Sequence, residues 1–160
     1  MDRLGDERLT LLGLLLESSS ALRTQLDQRL ARDVRLPIGS FELLVRLARS
    51  PGRHLRMSDL AAQAGLTPSG LTRAIDRLHR DGLVVRVPCP SDGRGAFAEL
   101  TPAGLDRVLA GLGPHLEHVD ECFTGALSPE EQRQLLGLLR KVRDHINPAA
   151  IAGIEDAAAC

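Results

Sequence analysis

Hydroxyl and guanidinium side chains fall on one face of the segment that begins at Thr67-Pro68. A threonine followed by proline is a typical N-cap and first helical position, so a helix is predicted from here to Arg80. A helical wheel of this segment separates an apolar arc from a polar one. The apolar arc holds Leu71, Ala74, Ile75 and Leu78; the polar arc holds Ser69, Thr72, Arg73, Asp76 and Arg80, with Arg77 on its flank.

The chemistry of the polar arc fits recognition of double-stranded DNA. Arginine can donate two hydrogen bonds to guanine O6 and N7 or to a phosphate, and a hydroxyl near a helix N-terminus can help the backbone amides to hold a phosphate. The three arginines outnumber the single acid, Asp76, which is predicted to pair within the molecule and orient an arginine. An ordinary solvated helix face is the alternative interpretation.

The segments around this helix predict a winged helix-turn-helix. Upstream, an extended stretch at Leu55–Met57 precedes a helix from Asp59 to Ala64, with the Ser58 hydroxyl as its expected cap and Gly65 as its left-handed exit. Ala61, Gly65 and Leu71 provide the small, flexible and apolar positions that two closely packed helices need.

A β-hairpin is predicted after Gly82, with strands at 83–87 and 97–100 and a long polar tip at 88–95. The tip places Arg94 between two glycines, where it can enter a narrow minor groove of DNA. Asp92 is expected to brace the tip by pairing with an arginine. Without the preceding helices, a plain surface turn would explain these residues equally well.

Long amphipathic helices flank this lobe and complete the predicted fold. They are expected at Glu7–Asp33, from Pro37 through Leu47, from Thr101-Pro102 to about Phe123 with a kink at Pro114, and from Ser128 to just before Asn147. The predicted class is mainly α with a small β-hairpin wing. A single domain over 1–160 is expected, with DNA-binding residues at about 36–100, dimerisation helices at about 6–35 and 101–147, and a fraying tail at 148–160.

Composition restricts the classes of function further. The chain has 160 residues, 43% of them hydrophobic and 26% charged, which is typical of a globular protein. Because it contains three phenylalanines but no tyrosine or tryptophan, stacking of bases on an aromatic platform is nearly excluded. The net charge is −1, yet residues 53–98 hold seven basic and four acidic side chains. No apolar run can span a bilayer and no export signal is convincing, so a cytoplasmic location without membrane contact is expected.

The sequence resembles the MarR family (multiple antibiotic resistance regulator family) over about residues 8–146. The resemblance is carried by five motifs: Ser58-Asp59-Leu60-Ala61, Leu66-Thr67-Pro68-Ser69-Gly70-Leu71-Thr72-Arg73, Leu78-His79-Arg80-Asp81-Gly82-Leu83-Val84, Asp92-Gly93-Arg94 and Leu100-Thr101-Pro102-Ala103-Gly104. It implies a homodimeric winged-helix transcriptional regulator, commonly a repressor, that dimerises through its terminal helices. The implied DNA contacts are Ser69, Thr72, Arg73 and Arg77 in the major groove and Arg94 in the minor groove.

Several kinds of signal for such a regulator are compatible with the residues. A small anionic effector near Arg46 or Arg49 is one hypothesis. Zinc sensing is another, with His115, His118 and Cys122 on one helix face as candidate ligands, although the first and last are too far apart to bind one ion without help from another helix. Redox sensing by Cys89 or Cys122 is a third, beside Cys122 as a small buried apolar residue.

Two other classes of function remain as alternatives. A winged-helix module that binds protein instead of DNA would show the same pattern of helices and strands. An enzyme is not expected, because the sequence contains no nucleophile elbow, no zinc-protease motif and no phosphate-binding glycine loop, and no cofactor is predicted.

Overall fold

A computed structural model describes residues 3–89 and 92–150. The described residues form six α-helices and three β-strands, so the predicted class, mainly α with a small β-sheet, is confirmed. The elements are α1 (Glu7–Asp33), α2 (Ile38–Arg49), β1 (His54–Arg56), α3 (Met57–Ala64), α4 (Pro68–Arg80), β2 (Val84–Cys89), β3 (Asp92–Leu100), α5 (Pro102–Cys122) and α6 (Pro129–Ile146).

The core lies where α2, α3 and α4 pack against the sheet. Its largest fully buried side chains come from all of these elements and are almost entirely aliphatic. They are Phe41, Leu43, Leu44 and Leu47 of α2, Leu60 of α3, Leu71, Ile75 and Leu78 of α4, and Val84 of β2, with Leu30 of α1 beside them. Burial of each large apolar side chain contributes about 1.5–3 kcal/mol, so this cluster fixes the orientation of α4.

The sheet has the order β1-β3-β2, and both pairings are antiparallel. The predicted hairpin tip at 88–95 was too long, because β2 continues through Cys89 and β3 already begins at Asp92, with a register shift after Pro88. Proline lacks the backbone N–H, but β2 is an edge strand, where that missing donor interrupts no second pairing. Residues 90 and 91 of the tip lie outside the described residues.

The helix boundaries follow the predicted caps with one exception. Thr67 Oγ1 accepts a hydrogen bond from the Gly70 amide (3.1 Å), and Gly65 takes the left-handed conformation at φ 64°. Ser58 does not cap α3 as predicted: it lies inside the first turn, and its hydroxyl donates to Asp59 Oδ1. Strand β1 continues directly into α3, so the N-cap position of α3 is Arg56, the last residue of β1.

The start of α5 is joined to the turn between α4 and β2. Thr101 Oγ1 donates to the Gly82 carbonyl (2.7 Å) and accepts from the Gly104 amide (3.0 Å). Gly104 packs directly on the Leu83 carbonyl oxygen, and a Cβ at this position would overlap that oxygen. Helix α5 then continues without interruption past Pro114.

Helices α1 and α6 leave large apolar faces uncovered. Leu12 is 52% exposed, Leu139 is 41% exposed and Leu138 is 62% exposed. The exposed apolar residues of these two helices are Leu9, Leu11, Leu12, Leu14, Leu15 and Leu16 in α1, and Leu136, Leu138, Leu139, Val142 and Ile146 in α6. Within residues 3–89 and 92–150, no helix is long and apolar enough to cross a membrane.

Candidate nucleic-acid interface

Helix α4 presents the polar face that its sequence predicts. Leu71, Ala74, Ile75 and Leu78 are buried in the core. The opposite side of the helix is exposed and carries Ser69, Thr72, Arg73 and Arg77. The structure thus brings four of the five predicted DNA contacts to one exposed face of a helix that the core holds rigidly.

The turn before α4 sets how this face projects from the protein. The Gly65 amide donates to the Ala62 carbonyl (3.2 Å) and the Leu66 amide to the Ala61 carbonyl (2.9 Å), which closes the end of α3. Thr67 then caps α4 after two residues of turn. The short turn therefore brings α4 close to α3, and the buried apolar side chains of α4 hold the helix against the core.

The hairpin carries the fifth predicted contact, Arg94. Its backbone belongs to β3, while its side chain lies outside the described part of the chain. The same holds for the side chain of Asp92, so the predicted brace of the tip stays a prediction.

An ion pair connects the recognition helix to the hairpin. Asp76 Oδ1 lies 2.8 Å from Arg86 Nη2, and the same nitrogen donates to the Thr72 carbonyl (3.3 Å). Asp76 therefore pairs with an arginine, as predicted, and its partner is one that sequence reasoning did not single out. Nearby, His79 Nδ1 lies 2.9 Å from the Val84 carbonyl oxygen. These contacts, here called the α4–β2 clamp, fix the hairpin relative to the polar face of α4.

Removing the ion pair of the α4–β2 clamp should lower the affinity for DNA without a large loss of folding stability. Both partners are substantially exposed, so the ion pair contributes at most about 1 kcal/mol to folding. We expect Arg86→Met to weaken binding to a duplex target by about fivefold, since the hairpin is then held less firmly beside α4. The matched control is Arg8→Met, which also removes one positive charge and breaks an exposed ion pair, with Asp6 at the start of α1. Equal affinities of the two variants, measured by titration at one salt concentration, would contradict the role of the clamp.

The three candidate zinc ligands do not converge. Arg29 Nη1 donates to His118 Nδ1 (2.7 Å), and His118 Nε2 lies 2.9 Å from Asp33 Oδ2, so both ring nitrogens are engaged between α1 and α5. Cys122 Sγ donates to the His118 carbonyl. In the part of the chain that the structure describes, no group of three or more histidine, cysteine, aspartate or glutamate side chains is placed to hold a metal ion.

The contacts of His118 and the burial of His115 shift two pKa values. Arg32 and then His118 donate hydrogen bonds to Asp33 and lower the pKa of its carboxyl group to about 2. His115 packs edge-on against Phe41, with ring centroids 5.1 Å apart, and burial lowers the pKa of its imidazole. The contact of His118 with Asp33 therefore joins α5 to α1, and the contact of His115 with Phe41 joins α5 to α2. Of the candidate redox cysteines, Cys122 is a half-buried free thiol, whereas the side chain of Cys89 is outside the described residues.

Comparison with known proteins decides the family. The sequence model described as MarR family matches residues 36–95, the region that contains α2–α4, β2 and the first residues of β3. The fold is similar to that of Sco3205, a MarR family transcriptional regulator from Streptomyces coelicolor solved in complex with DNA. The two chains are 37% identical, each is covered to 89%, and the TM-score is 0.80. The chain belongs to the MarR family.

Other relatives place the MarR-family assignment on most of the chain. AbsC, a MarR family transcriptional regulator from Streptomyces coelicolor, is 33% identical, with 91% of this chain and 98% of AbsC covered and a TM-score of 0.81. The transcriptional regulator HosA of Escherichia coli O111:H- is 34% identical over 64% of this chain and 73% of HosA. The resemblance inferred from the five motifs is thus confirmed: this MarR-family protein is a winged-helix transcriptional regulator, and these three relatives are regulators and not enzymes.

Proposed function

We propose that this MarR-family protein is a homodimeric, cytoplasmic transcriptional repressor that binds a pseudo-palindromic operator in double-stranded DNA and needs no cofactor for binding. The observation that carries the proposal is the exposed polar face of α4, which opposes four buried apolar residues of the same helix. The DNA-bound structure of the similar regulator Sco3205 supports the choice of DNA as the ligand. The alternative is a winged-helix module that binds protein instead of DNA. Failure to bind any duplex would favour this alternative.

The proposed contacts divide into those that position the protein and those that read bases. Ser69 lies in the first turn of α4, where its hydroxyl and the free backbone amides can hold a phosphate together. Arg73 and Arg77 lie one turn apart on the same side, and at least one of them donates to guanine O6 and N7. Thr72 contacts a base edge or a phosphate between them. Arg94 reaches the adjacent minor groove from the hairpin.

A second copy of the chain is the proposed partner of the uncovered apolar faces. The leucines of α1 and α6 would be costly to leave in water, and a two-fold axis lets the same faces cover each other. Residues 6–35 and 101–147 are then the dimerisation helices and residues 36–100 the DNA-binding lobe of one domain. Two α4 helices related by this axis would enter successive major grooves, so we propose half-sites about 10 base pairs apart.

A small anionic effector is proposed to release the operator. An effector acts by favouring a dimer in which the two α4 helices have the wrong separation, and a preference of about 3 kcal/mol for that state lowers operator affinity roughly a hundredfold. Helix α5, the dimerisation helix that begins directly after the lobe at Thr101, is the element that would transmit the change. By linkage, an effector that releases the operator must itself bind more weakly when the operator is present.

Selection of bound duplexes from a random pool tests the proposal directly. We expect an enriched pseudo-palindrome, protected as two half-sites about one DNA turn apart, and an affinity that falls steeply as salt rises, because phosphate neutralisation releases counterions. An asymmetric single half-site would contradict the dimeric mode. Failure to enrich any duplex would favour the protein-binding alternative.

Arg94 gives a test that is specific to the hairpin. We expect Arg94→Ala to weaken operator binding by about 1–3 kcal/mol, with a larger loss on A·T-rich flanks, whose narrow minor groove attracts the guanidinium group most strongly. Affinities should be measured on operators that differ only in their flanks. If wild type and Arg94→Ala bind every flank equally, the hairpin has no part in recognition.

A further inference from the structure

A second charged surface lies away from α4, in a crevice where the end of α2 faces the last turns of α6. The crevice has a volume of about 290 Å³. Its polar walls are Arg46 and Arg49 of α2, Gln63 of α3 and Arg143 of α6, and Leu55 of β1 forms part of its apolar lining. None of the described residues that line it belongs to α4, β2 or β3, so it is separate from the proposed DNA-binding face.

The crevice is positively charged without an acidic counterpart in its lining. Three of its lining side chains are arginines, and none of the described lining residues is acidic. Two carboxylates outside the lining interact with its arginines: Asp144 accepts from Arg143 Nε (2.8 Å), and Glu42 lies close enough to favour the charged form of Arg46. One turn along α2, the positive charge of Arg49 acts on Arg46 in the opposite sense.

Arg46 contains a buried donor without an acceptor. Its Nε is inaccessible to solvent and has no hydrogen-bond partner among the described protein groups. Burial is the main cause that lowers the pKa of this guanidinium group. A buried donor that is left unpaired lowers stability, and an ionised acceptor beside it relieves that cost. The crevice therefore favours an anion on both charge and hydrogen bonding.

The crevice also adjoins a tie between α6 and α3. Asn147, which ends α6, donates from Nδ2 to the Ala62 carbonyl oxygen (2.8 Å), next to Gln63 of the crevice wall. An anion that bridges the α2 arginines and Arg143 would strengthen this connection between the helix pair α2–α3 and the end of α6. Such a ligand could fix the DNA-binding lobe relative to the proposed dimerisation helices.

We propose that this crevice is a binding site for a small organic oxyanion, a carboxylate or a phosphate ester, held by Arg46, Arg49 and Arg143. The volume is at the lower end of the range for small-molecule sites, which fits a metabolite of modest size. Arginine is suited to this role because its planar fork of donors matches both carboxylate and phosphate oxygens. Binding to the crevice is independent of the proposed function, whereas any effect on operator affinity rests on it.

Calorimetric titration with two probes tests the site and identifies its chemistry. Inorganic phosphate and benzoate are titrated separately into the wild-type protein at constant ionic strength, with chloride as the balancing anion. We expect one of them to bind at a single site per chain and, at ten times its Kd, to raise Tm by about 3–6 °C. A response to phosphate assigns a phosphate ester as the ligand class, and a response to benzoate assigns a carboxylate.

Variants then locate the binding. Arg49→Gln, at an exposed position, should raise the Kd of the responding probe at least tenfold. Arg46→Met, which also removes the unpaired donor, should raise this Kd by a similar factor. Arg140→Gln is the matched control, because it removes one charge from α6 a turn before Arg143 but does not line the crevice. Absence of binding by both probes, or equal weakening in Arg140→Gln, would overturn the proposal.

Operator affinity with and without the responding probe is measured last. This step separates the two proposals, because a protein that binds the probe but no duplex keeps the crevice site and loses the proposed repressor function. A protein that binds its operator but neither probe keeps the proposed repressor function and loses the crevice site.

Discussion

Replacing Leu139 of α6 by glutamate should convert the protein to a monomer and abolish operator binding. Leu139 lies on the exposed apolar face of α6, beside Leu135 and Leu136, in a groove that also contains Phe123 and Leu127. Burying a leucine contributes about 1.5–3 kcal/mol, and a two-fold interface contains this position twice. The loss of this apolar contact in both copies, together with the cost of bringing two unpaired carboxylates into the interface, should weaken the dimer by about 3–6 kcal/mol, which raises its dissociation constant roughly 100- to 20,000-fold.

Sedimentation at micromolar concentration measures this effect, and circular dichroism checks that the monomer stays folded. Little loss of fold is expected, since Leu139 is 41% exposed within the single chain. The matched control is Gln134→Glu, which adds the same charge to an exposed polar position of α6. A Leu139→Glu protein that sediments as a dimer would show that α6 does not form the interface, and a wild-type monomer would remove the homodimer from the proposed function.

Arg73 and Arg77 should account for most of the base preference of the protein. A good two-pronged contact between arginine and guanine discriminates against a wrong base by about 1–3 kcal/mol, and a dimer makes each contact twice. We expect Arg73→Ala or Arg77→Ala to cost about 2–6 kcal/mol on the best operator and to flatten the preference at one symmetric pair of positions. Selection of bound duplexes with each variant measures both quantities in one experiment.

The shape of the loss separates base recognition from phosphate contact. If a guanidinium group only neutralises a phosphate, its removal lowers the affinity for every sequence alike and reduces the salt dependence by about one counterion per contact. Arg140→Ala, at an exposed position of α6 outside the apolar groove, controls for the change in net charge. Unchanged sequence preference in both Arg73→Ala and Arg77→Ala would leave α4 without a base-reading role.

Local patterns were sufficient to predict most of the helices and the exposed face of α4. The leucine repeat predicted α1 with the boundaries that the structure shows, and Thr67-Pro68 predicted the start of α4. These features depend on residues within one or two turns of each other, so the sequence contains them directly. The apolar and polar arcs of α4 followed for the same reason, because the helical period alone separates Leu71 from Thr72 and Arg73.

Features that join distant segments could not be predicted in this way. The pairing of Leu55 with Ala98 makes β1 part of the sheet, and these two residues are more than forty positions apart in the chain. Asp76 was expected to pair with an arginine, yet the choice of Arg86 depends on where β2 crosses α4. The cap of α3 was misplaced because a serine before an acidic residue is a common start signal, and the continuity of β1 with α3 is a tertiary property. Arg143 joins Arg46 and Arg49 only because α6 returns to the end of α2.

At Gly104, helix propensity and tertiary packing favour different residues, and the requirement of tertiary packing is the stronger one. It lies within α5, where alanine would favour the helix by about 1 kcal/mol, and its backbone angles do not require glycine. The absent methyl group is what allows α5 to rest on the Leu83 carbonyl oxygen. A search for stabilising substitutions that scores helix propensity alone would choose this position early, and the change it recommends would separate α5 from the DNA-binding lobe.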